Sequence, residues 1–115
     1  MKGAKDLAKF KSTLQERIAD LDRSIKAAER DTRDLASKPP DVIDQASAEY
    51  EKQLALQKAS ADRQLRRNLL QALERIRQGT FGECANCGSE IEPKRLHALP
   101  WARYCIKCQE EMEQQ

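Results

Sequence analysis

Two long series of apolar residues, separated by a pair of prolines, most constrain the fold of this chain. Each series places an apolar residue every three or four positions, the spacing that gives an α-helix one continuous apolar face. The first comprises Leu7, Phe10, Leu14, Ile18, Leu21, Ile25, Ala28 and Leu35, with Thr32 in its one gap. The second comprises Ala46, Tyr50, Leu54, Ala61, Leu65, Leu69, Ala72 and Ile76, interrupted by Gln57 and Lys58. The pattern predicts two long amphipathic helices.

The two series mirror each other about the prolines. The residues that would meet if the chain folds back there are Leu35 with Ala46, Ala28 with Leu54, Leu21 with Ala61, Ile18 with Leu65 and Leu7 with Ile76. Their paired numbers always sum to 81 to 83, as an antiparallel pair requires. We therefore predict a long antiparallel coiled-coil hairpin over residues 1–78, with its tip at about 37–46. Arms of about 30 residues would be roughly 45 Å long.

The KPPD segment between the series explains where one helix stops and the next starts. Pro39 and Pro40 cannot continue a helix, and each restricts the residue before it, so the first helix should end at 36–38. Asp41 then stands at the N-cap of the second helix, and Asp44 adds a negative charge to its first turn. Capping alone explains both aspartates, and a functional role for them stays open as the alternative.

The composition agrees with long helices and argues against a large globular core. Of 115 residues, 35% are charged, 39% are apolar and only 4% are aromatic, which suits helices that each bury one narrow face. The N-terminal MKGAKDLAKF has no apolar signal-peptide core, and no stretch approaches a membrane span. We predict an all-α fold in the cytoplasm, where cysteines are metal ligands more often than disulfides.

Four cysteines in the last third carry the clearest chemical signal. They form two C-x2-C pairs separated by 17 residues, at Cys84, Cys87, Cys105 and Cys108. This spacing predicts one tetrahedral zinc ion in a finger domain over 79–115. Because four thiolates leave no open coordination position, the zinc should be structural and not catalytic. Gly88 suits the tight turn after the first pair, and His97 is a surplus ligand that we expect to be exposed or partly packed.

Prolines and aromatic residues organise the rest of the predicted finger. Pro93 suits the first turn of a short helix that Pro100 closes. Trp101 and Tyr104 flank the return to the second cysteine pair, and we expect both to pack over the small zinc core. The tail after Cys108 is polar and helix-prone, which predicts a short terminal helix.

Charge is unevenly distributed along the chain. Residues 79–115 carry a net charge of −2, residues 39–62 carry −3 and residues 63–78 carry +4. A finger that grips phosphates should be basic, so direct DNA binding is not expected. A hairpin that is acidic towards its tip and basic at the opposite end indicates an oriented approach to a large partner.

Two motifs together resemble those of a known family. The run TFGECANCGSEIEPKRLHALPWARYCIKCQ contains R-L-x-A-x-P followed by C-x-x-C, and DVIDQA matches D-x-x-D-x-A at Asp41, Asp44 and Ala46. Either motif alone has limited specificity, but both at this separation are specific. Over roughly residues 41–110 the chain resembles the DksA/TraR family of zinc-finger transcription factors, in a short form expected to lack the extra N-terminal segment of longer members.

The resemblance implies a bacterial RNA polymerase regulator that neither binds DNA nor acts as an enzyme. Members of the family insert the hairpin into the secondary channel of the polymerase. The tip residues Asp41, Asp44 and Ala46 would then contact the polymerase near its active site and alter the lifetime of promoter complexes. We expect a monomer with one structural Zn²⁺ and no membrane partner.

The resemblance does not extend to the binding site for guanosine tetraphosphate. Positions where typical DksA proteins place basic side chains for this alarmone align with Asn68, Leu99 and Gln109. An anionic nucleotide would find few cations there, which argues against alarmone binding at that site.

Two other functional classes are alternatives. Transcript-cleavage factors of the Gre type also use an acidic-tipped hairpin, whose carboxylates hold magnesium for phosphodiester hydrolysis. Their hairpin is followed by a β-rich domain, which a four-cysteine finger does not match. The other alternative is a zinc-ribbon module that binds nucleic acid, which the acidic finger disfavours.

Overall fold

The fold is built from four helices. A computed structural model describes residues 4–36 and 44–114, which form α1 (Ala4–Ala36), α2 (Asp44–Gln78), α3 (Pro93–Ala98) and α4 (Ile106–Glu113). Within these ranges there is no extended strand, and β pairing is confined to an isolated antiparallel bridge between Glu83 and Glu90. The predicted all-α fold, with a short helix after the first cysteine pair and another at the end, is confirmed. None of the described helices combines the length and apolarity needed to cross a bilayer.

The described residues pack into two compact units. The finger unit is formed by the described residues of Met1–Ile18 together with Asn68–Gln115, and the helix-pair unit by those of Ala19–Arg67. Parts of α1 and α2 therefore belong to each unit. The division into a hairpin over 1–78 and a finger domain over 79–115 stays a prediction.

Helix ends follow from local sequence. The end of α1 at Ala36 agrees with the expected stop before the prolines. Helix α2 ends at Gln78 because Gly79 adopts a positive φ of 81°, a conformation that costs glycine little. The amide of Thr80 then donates to the carbonyl of Arg75 at 2.9 Å, the 6→1 bond of a Schellman C-cap.

Polar contacts show that α1 and α2 run antiparallel in the helix-pair unit. Arg66 Nε donates to Asp22 Oδ1 at 2.6 Å. Further along α1, Glu29 Oε1 lies 3.4 Å from Nη2 of Arg63, which comes earlier in α2. Because the numbers rise on one helix as they fall on the other, the predicted antiparallel pairing is confirmed.

The apolar face that α2 uses in this unit differs from the predicted one. Tyr50 and Leu54 are 66% and 47% exposed, and Ala61 is exposed as well. The half-buried positions are Ala55, Ala59, Asp62, Leu65 and Arg66. Placing Leu54 and Ala61 on the buried face was therefore wrong.

Side-chain size and charge pairing explain why Ala55 and Asp62, each one position after a predicted residue, are the half-buried ones. Ala55 and Ala59 have small side chains, which cover little area but allow another helix to approach. Asp62 is tolerated on this face because its carboxylate accepts from Lys58 Nζ at 2.8 Å. Lys58 Nζ also donates to Ser24 Oγ of α1 at 3.2 Å.

The core of the molecule lies in the finger unit. Leu14 of α1 and Leu69 of α2 are 0% exposed, as the predicted apolar faces require. The Phe10 ring lies 5.1 Å from that of Phe81, centroid to centroid. The other buried core residues of this unit, apart from cysteines, are Ala72, Ile91, Leu96, Pro100 and Ala102.

Candidate metal centre and helix-tip motif

The first cysteine pair sits on a tight turn held by backbone hydrogen bonds. The Gly88 amide donates to the Cys84 carbonyl at 3.0 Å, and the Cys84 amide donates to the Ser89 carbonyl at 2.8 Å. Gly88 has a φ of 77°, which a side chain would strain. The turn thus presents Cys84 and Cys87 on one side, and the role expected of Gly88 is confirmed.

The second cysteine pair lies at the start of a helix. Cys105 is the N-cap residue of α4, and Cys108 lies in the first turn of that helix. The Ala85 amide of the first turn donates to the Arg103 carbonyl at 2.8 Å. That bond ties the two cysteine pairs together at the level of the backbone.

The four sulfur atoms have the separation that a tetrahedral metal site needs. All four Sγ atoms of the cysteines lie within 4.8 Å of one another. Cys87 and Cys105 have their sulfurs 3.9 Å apart, close to the edge of about 3.8 Å that follows from a Zn–S bond of about 2.3 Å. Three of the cysteines are buried and Cys87 is exposed. The residues therefore fit one closed zinc site with no position for a substrate.

Hydrogen bonds and burial move the pKa values of the clustered thiols in opposite directions. Burial disfavours the Cys84 thiolate, but hydrogen bonds from the amides of Cys87, Cys105 and Asn86 lower the pKa of Cys84 to about 6. For Cys108, the hydrogen bond from the Asn86 side chain is outweighed by Cys105, burial and the remaining cysteines, which raise its pKa to about 12. Crowded thiols cannot all ionise unless a metal compensates their charge.

Asn86 is a hydrogen-bond partner of the cysteine cluster that the cysteine spacing did not reveal. Its Nδ2 atom donates to Cys108 Sγ at 3.4 Å, and a hydrogen bond of this kind orients a thiolate ligand and stabilises its charge. The one available signal was its position between Cys84 and Cys87, from which a short amide side chain can reach a cysteine of the other pair.

His97 lies apart from the cysteine cluster. It is exposed on α3, and its ring centroid lies 5.2 Å from that of Phe10. The expectation that His97 is exposed or partly packed is confirmed.

Trp101 and Tyr104 are half-buried, and each ring has an arginine guanidinium beside it. Their packing over the zinc core stays a prediction. The guanidinium carbon of Arg17 lies 5.3 Å from the Trp101 ring centroid, and that of Arg103 lies 5.4 Å from the Tyr104 ring centroid. These cation–π contacts were not predicted from the sequence.

The predicted tip lies mostly outside the described residues. This applies to Asp41, with its proposed capping role, and to the two prolines. Asp44 is the first residue of α2, and Ala46 in the same turn is exposed. Assignment of these three residues to a partner surface stays a prediction.

The finger defines the class of protein. The family model described as "Prokaryotic dksA/traR C4-type zinc finger" matches residues 79–114, the segment that contains the cysteine cluster. The chain belongs to the DksA/TraR family of zinc-finger proteins, and its four clustered cysteines are those of a structural zinc ion.

Similarity to individual relatives extends beyond the finger. An uncharacterized protein from Aquifex aeolicus is 36% identical over 104 residues, which cover 89% of this chain and 72% of that protein. The RNA polymerase-binding transcription factor DksA of Escherichia coli is 37% identical over 76 residues, which cover 66% of this chain. That match spans only 50% of the length of DksA.

A solved structure agrees over nearly the whole chain. The transcription factor DksA2 from Pseudomonas aeruginosa superposes with a TM-score of 0.87 at 28% identity, covering 96% of this chain and 85% of DksA2. The fold is therefore shared well outside the finger, including both long helices.

Proposed function

We propose that this protein is a bacterial RNA polymerase-binding transcription regulator. The observation that carries the proposal is the structural similarity to the transcription factor DksA2 over 96% of the chain. The finger and the similarity to DksA, an RNA polymerase-binding transcription factor, support it further. Polymerase binding would place the protein in the cytoplasm. A monomer is sufficient for this role.

We further propose that Cys84, Cys87, Cys105 and Cys108 are the ligands of one structural zinc. The mutual spacing of their sulfurs and the burial of three of them support this assignment. Zinc would fix the loop between the pairs, and through it α3 and the Trp101–Tyr104 segment, against the ends of α1 and α2. The metal would have no part in any reaction, since a closed four-thiolate site has no free coordination position.

The long helices would act as a probe that enters the secondary channel of the polymerase. Helices of 33 and 35 residues are each about 50 Å long at 1.5 Å per residue, which is sufficient to reach into a deep pore. Asp41, Asp44 and Ala46 would form the contact surface at the tip. Two carboxylates delivered near the polymerase active site would alter the lifetime of promoter complexes through their charge.

The regulator would act without binding DNA and without guanosine tetraphosphate at the aligned site. The net charge of −2 on residues 79–115 disfavours a duplex contact. The positions that align with alarmone-binding side chains are Asn68, Leu99 and Gln109, none of which is a cation. Gln109 instead donates to Glu113 within α4 at 3.1 Å.

Binding to core RNA polymerase tests the proposal directly. The zinc-loaded protein should bind core enzyme saturably and should change the lifetime of open complexes at a ribosomal promoter. Removing zinc should abolish binding. Saturable binding to duplex DNA with no affinity for core enzyme would favour the zinc-ribbon alternative.

A substitution at the tip separates regulation from binding. Asp44→Asn keeps the side-chain shape and removes one charge, which should cost only a few tenths of a kcal/mol of helix-dipole energy. Regulation of the ribosomal promoter should nevertheless be lost while polymerase affinity is retained. Glu51→Gln is the matched control, because it neutralises an exposed carboxylate two turns further along α2. This variant should regulate normally. Equal regulation by Asp44→Asn and the parent would reduce the aspartates to helix caps.

A cleavage assay separates this proposal from the Gre-type alternative. A backtracked polymerase complex incubated with the protein and Mg²⁺ should release no cleaved transcript. Products that disappear in the Asp44→Asn variant would assign the chain to the cleavage factors.

A further inference from the structure

Four arginines contact the segment from Trp101 to Tyr104 in the finger unit, and one of them, Arg95, donates through Nε to the Tyr104 carbonyl at 2.9 Å. The guanidinium of Arg17, from α1, lies over the Trp101 ring. Arg75 of α2 donates through Nη2 to the carbonyl of Trp101 at 3.2 Å and to that of Ala102 at 3.5 Å. The guanidinium of Arg103 lies beside the Tyr104 ring. We refer to Arg17, Arg75 and Arg103 as the arginine cluster.

Ion pairs set the arginine cluster apart from the other arginines of the described residues that pair with carboxylates. Among the residues that the structure describes, no ion pair to any of the three arginines is found. The nearest acid in sequence to Arg75 is Glu74, and its carboxylate accepts from Arg77 and Gln78. Positive charge therefore accumulates locally around this segment.

Electrostatics show that two of these guanidinium groups influence each other. Burial lowers the pKa of Arg75, and the positive charge of Arg103 lowers it further. Arg75 is half-buried, whereas Arg17 and Arg103 are exposed. Two like charges held close together without a counterion are costly, and an anion between them would relieve that cost.

We propose that Arg17, Arg75 and Arg103 bind an oxyanion of the phosphate class. A planar guanidinium donates paired N–H groups that match the oxygens of a phosphate, and three of them around one segment can share a doubly charged group. Backbone carbonyls hold Arg75 and the Trp101 ring holds Arg17, so both are partly preorganised. The cluster contains none of the three positions that align with the family's alarmone residues, and it does not depend on polymerase binding.

The phosphate could be free or part of a nucleotide. Inorganic pyrophosphate offers the charge alone, whereas adenosine diphosphate offers the same diphosphate with a base that could stack on the half-buried Trp101. Both sources require the same arginine cluster, and they differ in whether tryptophan fluorescence responds.

Calorimetric titration of the zinc-loaded protein at constant ionic strength tests the proposal. Pyrophosphate should bind saturably, and Arg103→Gln should weaken binding about tenfold, as expected for loss of one charge-assisted contact. Arg103 ties the cysteine pairs through its backbone carbonyl, so the variant should retain its zinc and its fold. Arg23→Gln is the matched control, because it removes one charge from an arginine that pairs with Asp20 in the helix-pair unit.

Each outcome decides the matter. Equal binding of pyrophosphate and adenosine diphosphate, weakened about tenfold by Arg103→Gln and unchanged by Arg23→Gln, supports a site for the phosphate group alone. Tighter binding of the nucleotide with quenching of Trp101, and the same dependence on Arg103, supports a nucleotide phosphate as the source. The proposal is overturned if pyrophosphate does not bind saturably in the millimolar range, or if the two variants weaken binding equally.

Discussion

The finger unit and the helix-pair unit contain parts of the same two helices but bury them to different degrees. In the finger unit, Leu14 and Leu69 are completely buried. Between residues 19 and 67, no side chain that the structure describes is fully buried. The difference lies in what packs on the helices. Phe10 contacts Phe81 and His97 from the finger, whereas the described residues of the helix-pair unit all belong to the two helices.

This difference shows that apolar spacing does not by itself produce burial. Two helices can cover only a narrow strip of each other, and a third layer is needed to close the rest of the apolar surface. The finger supplies this layer in one unit. In the other, the contacts between the helices include polar pairs such as Asp22 with Arg66 and Ser24 with Lys58.

Removing zinc should have the largest effect, and it should fall on the finger unit. Structural zinc in small domains contributes about 10–16 kcal/mol of apparent binding energy, which is more than the stability of most domains. Cys84→Ser or a strong chelator should therefore collapse the NMR dispersion of the finger. Acidification should do the same, because protons compete with zinc for the thiolates.

Metal analysis provides the control for this experiment. The reduced parent protein should contain one equivalent of zinc, and His97→Ala should retain it because His97 lies outside the cysteine cluster. Well under one equivalent in the parent, or loss of zinc from the histidine variant, would contradict the four-cysteine site.

A pair of leucine truncations should reproduce the contrast in the cores. Leu14→Ala removes a fully buried side chain and should cost about 2–5 kcal/mol of unfolding free energy. Leu54→Ala removes a side chain that is 47% exposed and should stay within about 0.5 kcal/mol. Urea denaturation of the zinc-loaded variants measures both costs. Comparable losses would mean that the helix-pair unit has a core as well packed as that of the finger unit.

Hydrogen exchange should locate the same contrast along each helix. Amides near Leu14 and Leu69 should exchange only through opening of the core, whereas those near Ala28 and Ala55 should exchange through local opening of lower free energy. Each helix provides its own control, because the protected and the less protected amides that are compared lie in the same helix. Uniform protection from residue 10 to residue 30 would remove the distinction between the units.

The sequence predicted the elements whose signals are local. The cysteine spacing predicted that the four cysteines come together. The positive φ of Gly88 was expected from its place after Cys87, and α3 lies between Pro93 and Pro100 as predicted. Such features depend on a few neighbouring residues and on backbone geometry. Tertiary contacts change them little.

The features that were missed depend on which side chains meet in space. The buried face of α2 was misplaced at Leu54 and Ala61, because both fit the apolar spacing that runs from Tyr50 to Leu65. Asp62 on that face could not be anticipated without knowing that Lys58 neutralises it. The arginine contacts to the Trp101–Tyr104 segment join residues distant in sequence, and no periodic pattern records them.

The smallest effect should come from the ion pair between Asp22 and Arg66. The hydrogen bond from Arg66 lowers the pKa of Asp22, burial opposes that shift, and the charges of Arg66 and Lys26 add to it. A carboxylate with a depressed folded-state pKa contributes stability above its unfolded pKa and loses it as the pH falls through the folded value. The contribution should therefore be complete at neutral pH and fade in acid.

Comparison of the parent with Asp22→Asn isolates this contribution. The parent should be slightly more stable at pH 7, and the difference in thermal midpoint should shrink towards zero below about pH 4, the range in which a free aspartate takes up its proton. Asp20→Asn is the control, because its ion pair with Arg23 lies within α1 and does not join the helices. A difference that persists unchanged in acid would mean that Asp22 acts through shape and hydrogen bonding, and that cross-helix charge does not hold this unit together.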